Sequence, residues 1–255
     1  FATGIKKTIN EKLLYFYLSY DLLEDPTTKQ NTFYNNITKL EAGHYLIISK
    51  NGEIKKNKYW QLNITSTNHH IQIEDAIQQF DSLLQNSVKL RLRSDVPVGS
   101  SLSGGLDSSA IVAHINANRP KNVTQKSFSA RFNCNILDEG PYMKAVSDYL
   151  NIEAHYTFPD EKELINNYEK IFYHQEEPFG SGSVFAQWEV MKLAKDNNTK
   201  VLLDGQGADE ILAGYHKYYI SHLRELYLTN YKEYKRTKHI LLKNFNKHYN
   251  LDTFF

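Results

Sequence analysis

Val98-Gly99-Ser100-Ser101-Leu102-Ser103-Gly104-Gly105-Leu106-Asp107-Ser108-Ser109-Ala110 is the stretch that decides the fold. A strand pattern over 96–102 runs into two glycines and three hydroxyls, and a helix pattern over 108–117 follows. In open α/β sheets, ligands bind at the carboxyl ends of the strands. Two glycines let the backbone turn tightly and approach an anion, and Ser103, Ser108 and Ser109 add hydroxyl donors. The following helix points its free N–H groups and positive dipole end at the loop. Together these features predict a phosphate cradle. It lacks the GK[ST] of a Walker A loop and is not GxGxxG. Asp107 stands where a phosphate site would want no carboxylate, which makes sense with a bridging Mg²⁺. With each residue type at roughly 5–10% usage, this heptapeptide is expected by chance at about one in ten million positions. A plain glycine turn with a Ser or Asp helix cap is therefore set aside.

Outward from the loop, strand and helix patterns alternate. An amphipathic helix over 74–92 carries Ile77, Phe80, Leu83, Leu84, Val88 and Leu92 at helical spacing. Strands are predicted over 126–132, 154–158 and 200–204, and helices over 139–150, 161–173 and 183–195. This alternation predicts an α/β fold, a parallel sheet with helices on both faces. Residues 211–249 are rich in Tyr and Lys and helical in pattern. Residues 1–62 read differently, with a helix over 11–20 and a β-hairpin whose strands flank Asn51-Gly52. A polar, unpatterned linker separates the halves, placed at 63–73. Gly99, Ser100 and Ser101 are small for a buried strand. They either let a helix pack closely or weaken the strand.

Composition narrows the function classes. The 255 residues hold 30 Lys plus Arg against 29 Asp plus Glu, a net charge of +1, which gives no electrostatic case for nucleic acid or an anionic membrane. One cysteine, Cys134, cannot make an internal disulfide. No apolar run is long enough to span a bilayer, and no secretory signal opens the chain, so a cytoplasmic protein is expected.

The motif Ser103-Gly104-Gly105-Leu106-Asp107-Ser108-Ser109 resembles the pyrophosphate loop of the N-type ATP pyrophosphatases. With Arg93-Ser94-Asp95-Val96-Pro97-Val98-Gly99 before it, the resemblance narrows to the asparagine synthetase family. Asp204-Gly205-Gln206-Gly207-Ala208-Asp209-Glu210 and Gly214-Tyr215 resemble that family's second active-site loop, usually SGxGxDE…GGY. Residues 1–7, Gly43-His44-Tyr45 and Lys58-Tyr59-Trp60 resemble the closing part of its glutaminase domain.

The resemblance implies an adenine nucleotide alpha-hydrolase-like fold over 74–255, C-terminally incomplete, after a class II glutamine amidotransferase remnant over 1–62. It implies activation of a carboxylate by ATP with pyrophosphate release, then amidation by ammonia from glutamine. Aspartate is the expected acid, and a homodimer is compatible with the family. By resemblance, Ser103, Gly104, Gly105, Leu106, Asp107, Ser108 and Ser109 hold the pyrophosphate portion. Leu102, Ala130, Asp204 and Gly205 contact the nucleotide, and Asp107 and Asp209 hold Mg²⁺. Asp209-Glu210 also reads as a capping pair at a helix start, a reading that can hold alongside the metal role of Asp209 and that is preferred for Glu210. Glu176-Glu177-Pro178 resembles the family's DEP segment near the acyl pocket, which makes Glu177 a catalytic candidate alongside Gln206, and it reads equally as a helix end before Pro.

The family's usual SGEGSDE form has an acid where Gln206 stands and a serine where Asp204 stands. Gln can orient a substrate but cannot act as a base. Two further readings therefore stay open: an amide- or ring-forming enzyme with another acceptor, and a degenerate nucleotide-binding domain. Lys89, Arg91 and Arg93 read as a solvated helix face, His69-His70 as linker, and Cys134 as a small packed residue. Glutamine hydrolysis in that family needs an N-terminal Cys nucleophile, and Phe1 occupies the start here. The expectation is a piece of a longer enzyme that binds ATP at most and hydrolyses no glutamine alone.

Overall fold

The computed structural model describes residues 6, 8–63, 71–133 and 138–245. Cys134, His69-His70, most of the predicted linker and nearly all of the opening segment 1–7 lie outside the described residues. Helix α1 (Glu11–Tyr20) starts where Asn10 Oδ1 accepts the Leu13 N–H at 3.2 Å and ends at Asp21, whose φ is 54°. Strands β1 (His44–Ile48) and β2 (Ile54–Lys58) pair antiparallel, with His44 opposite Lys58 and Ile48 opposite Ile54. Gly52, at φ 80°, sits in the turn where the Asn-Gly pair was read.

Helix α2 (Ile73–Arg91) precedes the sheet strand β3 (Val98–Ser101), which leads into α3 (Leu106–Asn118). Strand β4 (Lys126–Ala130), helix α4 (Gly140–Leu150) and strand β5 (Glu153–Thr157) follow, then helices α5 (Glu161–Gln175) and α6 (Ser183–Asp196). Strand β6 (Val201–Leu203) completes a parallel sheet in the order β5-β4-β3-β6. The short α7 (Ala208–Leu212) and the mutually packed α8 (His216–Thr229) and α9 (Tyr231–Phe245) end the described chain. No helix among the described residues is long and apolar enough to cross a membrane.

Helices cover both sheet faces, as the alternation predicts. On one, Leu102, Val112 and Met143 form a core with Val146, Leu150, Ile152 and Tyr156, which seats α3 and α4. On the other, Phe128, Val190 and Ala194 pack with Ala130, Leu193 and Leu202, which seats α6. Each fully buried large side chain contributes roughly 1.5–3 kcal/mol. Successive strand residues alternate between faces: Phe128 lies against α6, while the buried Ser127 and Ser129 point the other way.

The small residues of β3 have a packing reason. A Cβ on Gly99 would lie 2.9 Å from Phe128 Cε2 and 3.1 Å from Leu202 Cδ2. Gly99 thus admits the fully buried Phe128 ring of β4 beside Leu202 of β6, so strand neighbours rather than a helix take up the space it leaves. The stripe on α2 behaves differently from its amphipathic pattern. Val88 is buried, whereas Ile77 and Leu83 are 60% and 69% exposed.

Candidate active site

In the order β5-β4-β3-β6 the chain moves outward from β3 to one side and then returns to its other side, so the strand order reverses between β3 and β6. Crevices form at such reversals, outside the carboxyl ends of the strands. The loops leaving β3 and β6 both border a cavity of about 390 Å³ there, within the range of small-molecule sites.

The first loop is braced by its own hydroxyls. Ser103 Oγ and Ser108 Oγ are 2.9 Å apart, and Ser108 Oγ also accepts the Ser103 N–H at 3.2 Å. Ser103 Oγ accepts the Gly105 N–H at 3.3 Å. The Ser108 and Ser109 hydroxyls donate back to the Gly105 carbonyl at 3.2 and 2.7 Å. Gly104 adopts φ 87°, and any Cβ there would lie 3.1 Å from Met143 N. These contacts hold the turn so that the free N–H groups of the first turn of α3 face the cavity region.

The second loop is positioned by close approach. A Cβ on Gly205 would lie 2.9 Å from Ser108 N and 3.0 Å from Asp107 C. Only glycine lets the loop after β6 lie against the start of α3. Gly207, at φ 94°, then turns the chain into α7. Asp209 fills the space beside Gly214, where an added Cβ would collide with its carboxylate. Glu210 instead accepts the Tyr215 hydroxyl at 3.0 Å, a bond that raises the Tyr215 pKa above its ordinary value, with burial acting the same way.

Of the residues singled out from the sequence, Leu102, Ser103, Asp107, Ser108, Ala130, Asp204, Gly205, Gln206 and Asp209 line the cavity. Leu106 is 90% exposed and does not line the cavity. Gly104, Gly105 and Ser109 shape the loop. Glu177 lies elsewhere: its carboxylate accepts the Phe33 N–H at 2.9 Å and pairs with Lys39 Nζ at 3.0 Å. Sequence reasoning missed the wall supplied by α6, where Ser183, Val184, Ala186, Gln187 and Val190 line the cavity. The small-residue run Gly180-Ser181-Gly182-Ser183 before that helix was the available signal.

Glu139, at the start of α4, also lines the cavity and was missed. The turn that carries it is fixed by Arg131, which binds Asp138 at 3.2 and 2.6 Å and lies over the Tyr156 and Phe158 rings. That bond holds the Asp138 carboxyl below its ordinary pKa and raises that of Arg131.

The lining includes the carboxyl groups of Asp107, Glu139, Asp204 and Asp209, and among the described residues that line it there is no Lys or Arg. A polyphosphate entering alone would meet like charge. No group of three or more His, Cys, Asp or Glu arranged to hold a metal occurs among the described residues. Mg²⁺ asks for less, since it keeps waters and takes one or two carboxylates plus substrate phosphates. Asp107 and Asp209, brought to one cavity from different loops, fit that requirement.

The family model for asparagine synthase matches residues 79–254. A putative glutamine-hydrolyzing asparagine synthetase 2 of Methanocaldococcus jannaschii is 35% identical over 217 residues, covering 82% of this chain and 39% of that protein. Asparagine synthetase 1 of Bacillus subtilis is 31% identical, covering 82% of this chain and 32% of its own length. The amidase chyE of Penicillium rubens is 27% identical over 73% of this chain and 31% of its own. The chain thus spans about a third of the length of these relatives.

Proposed function

The chain belongs to the asparagine synthase family, and on that premise we propose that it carries the ATP site of an amide-forming ligase. The carrying observation is that the loops 103–109 and 204–209 meet at one cavity where the strand order reverses. A carboxylate oxygen attacks the α-phosphorus of ATP, the bond to the bridging oxygen breaks, and pyrophosphate leaves. Ammonia then attacks the acyl carbon, AMP leaves with the C–O bond, and a proton is released. Such transfers need positioning and charge neutralisation more than covalent chemistry from the protein.

In this reading the loop hydroxyls and the start of α3 receive the pyrophosphate portion. Leu102, Ala130, Asp204 and Gly205 border the nucleotide. Asp107 and Asp209 would hold Mg²⁺, which supplies charge neutralisation for the phosphates. The four carboxyl groups lining the cavity support the cation requirement. Gln206 orients the acyl substrate by hydrogen bonding. Aspartate as acid, glutamine as ammonia source, a homodimer and a cytoplasmic setting complete the reading.

A second acceptor remains a specific alternative. Gln206 stands where the family usually has an acid, and one relative is an amidase. Pyrophosphate release by the complete protein separates the two. Dependence on aspartate and ammonia supports asparagine formation, and turnover with another acid but none with aspartate reassigns the acceptor.

A further inference from the structure

We infer that Glu177 is a positioning residue, through which the N-terminal segment 17–39 sets the place of the α6 wall of the cavity. This rests on the nucleotide reading above and adds a means of regulating that site. The connection over 176–182 joins α5 to α6, and it is gripped by residues distant in sequence. Glu177 accepts the Phe33 N–H at 2.9 Å through Oε1 and pairs with Lys39 at 3.0 Å through Oε2. The Tyr34 hydroxyl donates to the Glu176 carbonyl at 3.0 Å, and the Tyr17 hydroxyl to the Phe179 carbonyl at 3.1 Å. On the N-terminal side, Phe33 is buried and sits edge-on to Tyr17 at 5.9 Å. On the other side, Phe179 packs on Phe172 of α5 with centroids 4.9 Å apart.

Helix α6 begins directly after this connection, and Ser183, Val184 and Gln187 of its first turns line the cavity. Its later residues Val190 and Ala194 are fixed against Phe128 on the sheet. The helix therefore has two anchors. The sheet holds its body, and the N-terminal segment holds its start through Glu177. A carboxylate with both oxygens engaged outside the cavity serves placement. Any displacement of segment 17–39 would pass to the cavity wall through the same contacts.

The test uses the full chain with Lys39→Ala, Glu177→Ala, Glu177→Gln and the charge swap Lys39→Glu/Glu177→Lys. Hydrogen exchange without nucleotide should rise at amides 183–187 in both alanine variants and stay unchanged in α3. A part-exposed ion pair of this kind predicts MgATP binding weaker by about 2- to 5-fold in Lys39→Ala. The double variant Lys39→Ala/Glu177→Ala should bind no worse than Glu177→Ala alone. Glu177→Gln keeps an acceptor for Phe33 and should fall between Glu177→Ala and the unaltered chain, and the swap should recover part of the loss. Unchanged exchange at 183–187 in every variant overturns the inference. So does a silent Lys39→Ala beside turnover abolished in both Glu177 variants, which would mean direct chemistry by Glu177. If the unaltered chain binds no MgATP, the nucleotide reading falls, and the exchange result still decides the role of Glu177.

Discussion

The two loops that border the cavity are held in different ways. The loop after β3 is cross-braced by its own hydroxyls, with Ser103 and Ser108 bonding each other and Ser103, Ser108 and Ser109 each bonding the Gly105 backbone. The loop after β6 is placed by steric fit, through Gly205 against the Asp107–Ser108 backbone. A braced loop depends on most of its side chains, so its sequence is constrained by its shape. A loop placed by one glycine leaves its neighbours free, and Gln206 is such a neighbour. In the proposed function the braced loop receives the unvarying phosphates, and the freer one faces the acyl group that differs between acceptors.

The largest break in this comparison should come from Asp107→Asn. It removes the carboxylate proposed to hold the cation while keeping the size of the side chain. ATP–pyrophosphate exchange by the complete protein should fall by about 100-fold, with the thermal midpoint little changed. Near-full exchange would remove Asp107 from the metal site. Gly205→Ala should come next, because its Cβ would push the two loops apart at 2.9 Å from Ser108 N. Overpacking of this kind costs about 1–3 kcal/mol, which urea unfolding would read, and nucleotide affinity should drop with it. An unaltered affinity would mean that the loops act independently.

Gln206→Glu sharpens the comparison. MgATP affinity, read by calorimetry, should stay within about twofold, since Gln206 does not brace the loop. The preferred acid in pyrophosphate-release assays should change. A large loss of ATP binding would show that the second loop is not free to vary.

The smallest effect on activity should come from Asp25, in the N-terminal half away from the Lys39–Glu177 pair. Asp25 is buried and accepts hydrogen bonds from the Thr27 hydroxyl and N–H, from Asn31 and from Lys12. The bonds from Thr27, foremost, hold its pKa below the ordinary 3.8. The stability it contributes is present above that value and lost as the pH falls below it. Urea midpoints measured on descending into that acid range should fall for the unaltered chain and fall less for Asp25→Asn. Equal slopes would remove Asp25 from the acid response.

Much of this was legible beforehand for stated reasons. Strand and helix patterns of different period marked each element of the sheet, and the boundaries moved by only a few residues. Loop 103–109 carried its chemistry in consecutive residues. The α6 wall left only the small-residue run at its start as a signal, because Ala186 and Val190 read like any packed helix face and only the fold turns them to the cavity. Neither reading of Glu177, a catalytic candidate or a helix end before Pro, showed its contact with Phe33, which lies 144 residues away in sequence. The exposed stripe of α2 shows the converse, a pattern that marks an apolar face without saying what covers it. Gly99 read either as room for a packed helix or as a weak point of the strand, and neither reading pointed to the Phe128 ring that occupies its space.

The central claim is that both loops make one cation-dependent nucleotide site. Calorimetric titration of the chain with ATP tests it most directly, once with Mg²⁺ and once with EDTA. The account predicts one ATP bound per chain with Mg²⁺ and binding lost in EDTA. Equal binding in both, or no binding by a folded chain, would contradict it.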